Sequence, residues 1–110
     1  MKEEEFQRRA EQALAELETA FGRLAAKHDV DVDLEGGVLR VTFEEPEHSV
    51  FVVNPNGPAR QVWVSALLQS FKFDWLDDEQ RFGLSGTREP LREVMQRLAR
   101  EQLGDPDLAL

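Results

Sequence analysis

The sequence predicts an α+β fold, a two-layer sandwich in which two terminal helices pack on one face of a single antiparallel sheet of five to seven strands. Three observations predict this fold. Apolar residues recur at helical spacing near both ends, the stretches between them alternate apolar and polar residues, and turn-forming residues separate those stretches. Strands joined by short turns pair antiparallel. The order helix, antiparallel meander, helix then suggests that both helices pack on one face of the sheet. The length of 110 residues indicates one domain over 1–110.

The first helix is predicted over 3–27, where apolar side chains lie three and four residues apart, at Phe6, Ala10, Leu14, Leu17, Phe21 and Leu24. Gly22 lies near its end. Glycine destabilises a helix interior by ~1 kcal/mol relative to alanine, so we expect either fraying or close packing of another element there. The second helix is predicted from Leu91 to Leu103, with Gly104 and Pro106 as its stop signals.

Two strands are predicted in VDVDLEGGVLRVTFE, joined by a two-residue turn at Gly36-Gly37 that requires positive φ at both positions. Their apolar side chains are expected to face the core, at Val30, Val32, Leu34, Leu39, Val41 and Phe43. Pro46 ends the second strand. Further strands are predicted in VFVVN, RQVWVSA, FKFDW and QRFGL, the last two around the turn LDDE.

The charge of the chain limits its partners. The net charge of −9 disfavours nucleic acid, and the acids concentrate between 28 and 49, where seven acids stand against Arg40 alone. Such a surface attracts cations or a basic protein surface. The absence of cysteine excludes disulfides and thiolate ligands and suits a reducing cytoplasm. No apolar run is long enough for a membrane span, so we expect a soluble cytoplasmic protein with no membrane or nucleic-acid partner.

Trp63 lies on the polar side of its predicted strand, QVWVSA. Alternation places it on the uncovered face of the sheet together with Gln61, Ser65, Val52, Asn54, Arg40 and Thr42. An aromatic side chain among polar neighbours on an open sheet is typical of an interface anchor. The alternative is the opposite orientation, with the tryptophan facing the helices and the valines outside.

Several stretches together resemble the frataxin family, in particular its short bacterial CyaY form. They are EFQRRAEQ, DVDLEGGVLRVTFE, VVNPNGPARQVWVSA, FKFDW and the SGT before the final helix, and they cover essentially the whole chain. The resemblance implies a non-enzymatic, iron-binding accessory or regulatory protein of iron–sulfur cluster assembly. It implies docking on the cysteine desulfurase and the scaffold protein, and we assign this contact to Asn54, Gln61, Trp63, Arg40, Val52 and Lys72.

The resemblance also implies weak iron binding at carboxylates of the first helix and first strand, here Glu11, Glu18, Asp29, Asp31 and Asp33. Carboxylate oxygens suit Fe²⁺ and Fe³⁺, but side chains two apart in a strand are about 6.5–7 Å apart at the backbone, which supports only a loosely held ion. Positions that are acidic in bacterial relatives read here Thr19, Gly22, Arg23, Ala25 and Lys27, so weaker binding than in those relatives is expected. The alternative for the three aspartates is an edge strand charged against aggregation.

A second function class stays open at this point, an acidic peptide-binding chaperone of the bacterial secretion type, which is also small and α+β. Dimer formation favours the chaperone, whereas the frataxin resemblance implies a monomer, with oligomerisation on iron binding as an alternative. A ferroxidase needs a compact iron centre that the sequence does not show. His28 and His48 are single histidines in polar turns, typical of solvated side chains rather than ligands, and nothing orients a Ser/His/Asp triad.

Overall fold

A meandering antiparallel sheet forms one layer of the structure and two helices form the other. The computed structural model describes residues 1–110. The elements follow in the order α1 (Glu3–Leu24), β1 (Val30–Glu35), β2 (Val38–Phe43), β3 (Ser49–Asn56), β4 (Gln61–Ala66), β5 (Gln69–Leu76), β6 (Arg81–Leu84) and α2 (Leu91–Leu103). The spatial order of the strands is the same as their order in the chain, and each strand pairs antiparallel with the next. The predicted fold class is confirmed, with six strands.

The first hairpin forms as its sequence predicts. Gly36 and Gly37 have φ of 60° and 77°, the conformation that a two-residue turn between twisted strands requires. The turn sets the register in which Glu35 lies opposite Val38 and Asp33 opposite Arg40. The strands therefore turn their apolar side chains to the helices, and the aspartates of β1 point to the uncovered face.

The core lies between the sheet and the two helices. Leu39, Val41 and Phe43 of β2 are fully buried, whereas Val32 and Leu34 of the edge strand β1 are half-buried against the same core. Aromatic rings join the layers. The ring of Phe43 lies beside that of Phe51 of β3 in a tilted arrangement, with centroids 4.7 Å apart. Phe21 of α1 meets Phe43 edge-on, with ring centroids 6.4 Å apart. Edge-to-face pairs of this kind stabilise the packing beyond the area they bury.

The first helix ends three residues earlier than predicted. It continues through Gly22 and stops at Leu24, and Ala26 and Lys27 then donate hydrogen bonds to the carbonyls of Arg23 and Leu24 in a tighter turn. Nothing lies within 4 Å of the place that a Cβ on Gly22 would occupy, so of the two alternatives, fraying and close packing, close packing is wrong. The glycine instead lies in the last turn of the helix, where its low helix propensity favours termination.

The second helix has the predicted bounds and is connected to the sheet by a buried glutamine. Gly104 ends it at φ 63°, donating its amide to the Arg100 carbonyl. The Gln102 side chain is buried, and its Nε2 donates to the carbonyls of Glu45 (3.2 Å) and Glu47 (2.9 Å) in the β2–β3 turn. Beyond the helix, the buried Leu108 is held by a 2.6 Å hydrogen bond from Arg100 Nε to its carbonyl.

The β4–β5 hairpin turns at Leu67 and Leu68, which have φ of 51° and 62°. Left-handed backbone is unfavourable for a residue with a Cβ, and neither leucine is a typical turn residue. Leu68 is fully exposed, so its side chain contributes no burial that offsets this strain. None of the helices has both the length and the hydropathy that a membrane crossing requires.

Candidate functional site

The uncovered face of the sheet carries Trp63 near its centre. Register places Asn54 of β3, Trp63 of β4 and Lys72 of β5 in one row across the sheet. Asn54 and Lys72 are exposed and Trp63 is half-buried, while its strand neighbours Val62 and Val64 are buried on the helix side. The predicted orientation of the tryptophan is confirmed, and the alternative in which it faces the helices is wrong. Asn54, Gln61, Trp63 and Lys72 are called the tryptophan patch below.

A chain of hydrogen bonds holds the Trp63 indole. Its Nε1–H donates to Gln61 Oε1 over 3.0 Å, and Gln61 Nε2 donates to Asp74 Oδ1 over 2.9 Å. The second oxygen of Asp74 accepts a 2.6 Å hydrogen bond from Ser85 Oγ. Because Gln61 accepts at one end and donates at the other, its amide has one orientation in which both contacts are made. The indole N–H is therefore satisfied within the chain, and its ring remains available for contact.

Two cations on this face have no carboxylate partner, and one of them lies over the Trp63 ring. The Lys72 ammonium lies 4.9 Å from the centroid of the Trp63 ring, within cation–π distance. Arg40 is exposed, lies opposite Val52 in the next strand, and forms no ion pair with Asp33 across β1 and β2. Val52 lies in turn opposite Ser65. Arg40 and Val52 therefore extend the tryptophan patch toward β1, and all six residues assigned to partner binding share one face.

Two aspartates of β1 and the aspartate just before it form a separate negative surface at the sheet edge. Asp29, Asp31 and Asp33 are exposed, with Asp31 opposite Thr42 and Asp33 opposite Arg40. They are called the acidic edge below. The Asp29 amide donates to Glu45 Oε1 over 3.3 Å, so the β2–β3 turn adds carboxylates beside it. Clustered exposed carboxylates of this kind raise the local concentration of cations and of basic surfaces.

The two helical carboxylates lie in the other layer. Glu11 and Glu18 project from α1, which packs on the face of the sheet opposite to the side chains of Asp31 and Asp33. Glu11 is exposed beside Leu14, Leu34 and the Gly36-Gly37 turn. No three His, Cys, Asp or Glu side chains converge as a set of metal ligands. The five residues expected to bind iron are thus spread over two sides of β1, and they offer single carboxylates rather than a chelating site.

Both histidines contact a glutamate. His28 Nδ1 lies 3.3 Å from Glu45 Oε1, and His48 Nδ1 lies 3.2 Å from Glu44 Oε2. His48 is exposed and His28 is half-buried. These pairs link the end of α1 and the start of β3 to the β2–β3 turn, a contact that the sequence did not predict.

The strongest charge cluster lies away from both surfaces, at the β5–β6 turn. Hydrogen bonds from the Arg88 guanidinium lower the pKa of Asp78 and that of Glu79, and the two carboxylates raise the pKa of Arg88. Arg88 Nη2 lies 2.7 Å from Asp78 and 2.9 Å from Glu79. The cluster is solvent-exposed, so it fixes the geometry of the turn and contributes little to stability.

Sequence reasoning missed Asp74 and Ser85, which orient Gln61 and through it Trp63. Alternation along FKFDW places Asp74 on the face of Lys72, and this was the available signal. The pairing of Asp74 with Gln61 depends on the register of β4 and β5. That register follows from the Leu67-Leu68 turn, which has no turn signature in the sequence.

Comparison with known proteins gives one consistent result. A family model described as a frataxin-like domain matches residues 1–105. The chain is 33% identical over 106 residues to the iron–sulfur cluster assembly protein CyaY of Paraburkholderia xenovorans (strain LB400), covering 96% of this chain and 95% of that protein. It is 33% identical over 78 residues to the protein of the same name from Pseudomonas fluorescens (strain Pf0-1), covering 69% of each. Among solved structures, a frataxin from Psychromonas ingrahamii superposes with a TM-score of 0.79 at 22% identity, over 93% of this chain and 91% of that one.

Proposed function

This chain belongs to the frataxin-like family, in its bacterial CyaY branch, and on that basis we propose that it is an accessory and regulatory protein of iron–sulfur cluster assembly. In this role it docks on a complex of cysteine desulfurase and scaffold protein in the cytoplasm and binds iron weakly at surface carboxylates. It acts by binding and not by catalysis. The observation that carries the proposal is the position of the half-buried Trp63 ring on the uncovered face of the sheet, with its N–H already hydrogen-bonded.

Docking on the scaffold protein is assigned to the tryptophan patch. An aromatic ring whose polar atom is already hydrogen-bonded loses no hydrogen bond when a partner covers it. Asn54 and Lys72 flank the ring and supply polar contacts at its rim. Arg40 and Lys72 are cations without carboxylate partners, so the scaffold surface that fits here combines an apolar pocket with acceptor groups.

Docking on the desulfurase is assigned to the acidic edge. Asp29, Asp31 and Asp33 are exposed and lie beside the carboxylates of the β2–β3 turn. Charge of one sign on an exposed strand attracts a basic surface over a long range and accelerates encounter. The acidic edge and the tryptophan patch are parts of one sheet face, so a desulfurase–scaffold complex can contact both at the same time.

Iron is proposed as a weakly bound ligand of the same carboxylates. Fe²⁺ and Fe³⁺ accept oxygen ligands, but no three acidic or histidine side chains converge. Single carboxylates hold a largely hydrated ion with low affinity. Iron and the desulfurase then compete for the acidic edge, so bound iron lowers the affinity of this protein for the desulfurase.

The two function classes left open by the sequence are separated by family membership. The frataxin-like match covers residues 1–105, and both similar CyaY proteins are named for iron–sulfur cluster assembly. The fold class is shared by both alternatives and favours neither. Family membership therefore supports the assembly role and not the secretion-type chaperone.

A titration of ¹⁵N-labelled protein tests the proposal. Unlabelled scaffold is expected to shift the indole N–H of Trp63 and the backbone signals of Asn54 and Lys72. Desulfurase and, separately, Fe²⁺ are expected to shift and broaden signals of Asp31 and Asp33. Shifts confined to the helix layer, with the Trp63 indole unchanged at saturation, would refute the assignment of this face.

A further inference from the structure

A cleft of about 350 Å³ lies on the helix side of the sheet, away from both docking surfaces. It is bounded by α1, by the first turn of α2 and by the end of the β5–β6 hairpin. Leu17, Phe82 and Leu91 form its apolar wall, and Trp75 lines it beside them. A cleft of this size falls in the range of small-molecule sites. Nothing in the proposed function uses it.

The cleft brings together both of the buried side-chain polar atoms that have no hydrogen-bond partner. These atoms are Arg9 Nε and Trp75 Nε1, and both residues line the cleft. Each of the two nitrogens carries a hydrogen and can only donate. Buried donors are almost always paired in folded proteins, with protein groups or with water, so these two donors mark positions where water or a ligand supplies an acceptor.

Aromatic packing holds the Arg9 guanidinium in position. Its Cζ lies 4.9 Å from the centroid of the Trp75 ring, and that ring meets Phe82 edge-on at 5.1 Å. A guanidinium that lies over an indole ring is held by a cation–π contact, and its several N–H donors suit the oxygens of an anion. The arrangement is therefore ordered before any ligand binds.

The charges at the cleft favour an anion, in contrast to those of the whole chain. Three arginines line it, Arg9, Arg81 and Arg92, against two glutamates, Glu16 and Glu93. Arg81 pairs with Glu79, but neither Arg9 nor Arg92 has a carboxylate within ion-pair distance. The two glutamates oppose a highly charged ligand, so the site fits an anion that is small and carries little charge.

We propose that this cleft binds a small oxyanion, a carboxylate or a phosphate. Its oxygens accept hydrogen bonds from Arg9 and Trp75, and its charge is balanced by Arg9 and Arg92. The proposal goes beyond the docking function and is independent of it, because the cleft and the tryptophan patch lie on opposite faces of the sheet.

The test follows the indole N–H signal of Trp75 in ¹⁵N-labelled protein. The Trp63→Phe variant identifies that signal, since it leaves a single indole. Sodium acetate and sodium phosphate are titrated separately at constant ionic strength maintained with sodium chloride. We expect a saturable downfield shift with a dissociation constant of roughly 1–10 mM, a range typical of a ligand with few atoms and few hydrogen bonds. A lower dissociation constant for acetate indicates a carboxylate site, and a lower dissociation constant for phosphate indicates a phosphate site.

Two variants and a control decide the outcome. Arg9→Gln is expected to raise the dissociation constant about tenfold or more, because it removes a charge-assisted hydrogen bond. Arg92→Gln replaces an exposed side chain that the fold does not need, and it is expected to weaken binding roughly threefold or more. Arg23→Gln, which replaces an exposed arginine of α1 that lies outside the cleft lining and has no ion pair, is the charge-matched control and is expected to leave the constant unchanged. A shift that grows linearly without saturation, or equal constants in Arg92→Gln and the control, would overturn the proposal and indicate that only water fills the cleft.

Discussion

Gln61 and Asp74 lie opposite each other on β4 and β5, joined by a 2.9 Å hydrogen bond that fixes which end of the Gln61 amide faces Trp63. With its nitrogen engaged by Asp74, the Gln61 oxygen accepts the indole N–H at 3.0 Å. Asp74 is itself anchored by Ser85, at 2.6 Å. The aromatic anchor of the proposed interface is thus oriented by residues that need not touch the partner.

Replacing Asp74 tests this orientation. Asp74→Ala is expected to weaken binding of the scaffold–desulfurase complex roughly threefold to tenfold, because the Gln61 amide is then free to rotate and the indole loses its fixed position. The free energy of unfolding should fall by only about 1 kcal/mol, the value of one or two partly exposed hydrogen bonds. Calorimetric titration and a urea melt measure the two effects. Asp107→Ala, an exposed aspartate whose carboxylate makes no hydrogen bond to another residue, is the control, and equal binding by both variants would argue against a positioning role.

The acidic edge predicts a salt-dependent encounter with the desulfurase. The triple change of Asp29, Asp31 and Asp33 to Asn should lower the association rate several-fold at low salt and flatten its dependence on ionic strength, because exposed charges act at long range and are screened. Stability should be unchanged or slightly higher, since like charges are removed from one strand. Stopped-flow measurements compare it with a charge-matched triple change at Glu4, Glu101 and Asp107. An association rate that responds equally to both triple variants would indicate net charge, not location, as the cause.

Iron binding is expected to be weak, with a dissociation constant above ~1 μM, because the carboxylates do not converge. The double change Arg23→Glu and Lys27→Glu should strengthen it several-fold by returning negative charge to the end of α1, beside Asp29. Anaerobic calorimetry with Fe²⁺ measures the constants, and the double change Arg92→Glu and Arg97→Glu provides the same reversal of two charges on α2. A submicromolar constant in the unmodified protein would point to a chelating site that includes a residue not assigned here.

The β4–β5 turn offers a stabilising change. Leu68 has φ of 62° and a fully exposed side chain, so Leu68→Gly removes strain without losing burial. The expected gain in the free energy of unfolding is ~0.5–1 kcal/mol, the relief of left-handed strain less the entropy of a more flexible unfolded chain. Leu68→Ala keeps the Cβ and should give no gain. If both variants have the same urea midpoint, the turn is not strained at this residue.

Most of the fold was predicted from local sequence signals, namely turn residues, helix stop signals and the alternation of apolar and polar residues. The Gly36-Gly37 turn, the stop at Gly104 and the alternation in β1 and β2 each follow from the preferences of single residues and were confirmed. The end of α1 was misplaced by three residues because Ala25, Ala26 and Lys27 are compatible with a helix. Which turn follows a helix depends on the packing around it, which propensity does not describe.

The candidate site was predictable only in part for the same reason. Alternation was sufficient to place Trp63, Asn54 and Lys72 on one face, because it depends only on the parity of each position. The contact of Gln61 with Asp74 depends on cross-strand register set by a turn of two leucines, and no local rule predicts such a turn. The distance of Glu11 and Glu18 from the acidic edge likewise depends on which face of the sheet the helix covers.

In the proposed function Trp63 serves a partner and not the core, and the Trp63→Ala variant, measured for stability and for binding, separates these two roles. Trp63→Ala should reduce the free energy of unfolding by about 2 kcal/mol, the loss of one hydrogen bond and of a half-buried ring, against ~3–5 kcal/mol for a core aromatic. Its affinity for the scaffold–desulfurase complex should fall by about 2 kcal/mol or more, roughly thirtyfold, as is usual for an aromatic anchor. The variant should therefore remain folded and lose most of its binding. An affinity within twofold of the unmodified protein, measured by calorimetry on the folded variant, would contradict it.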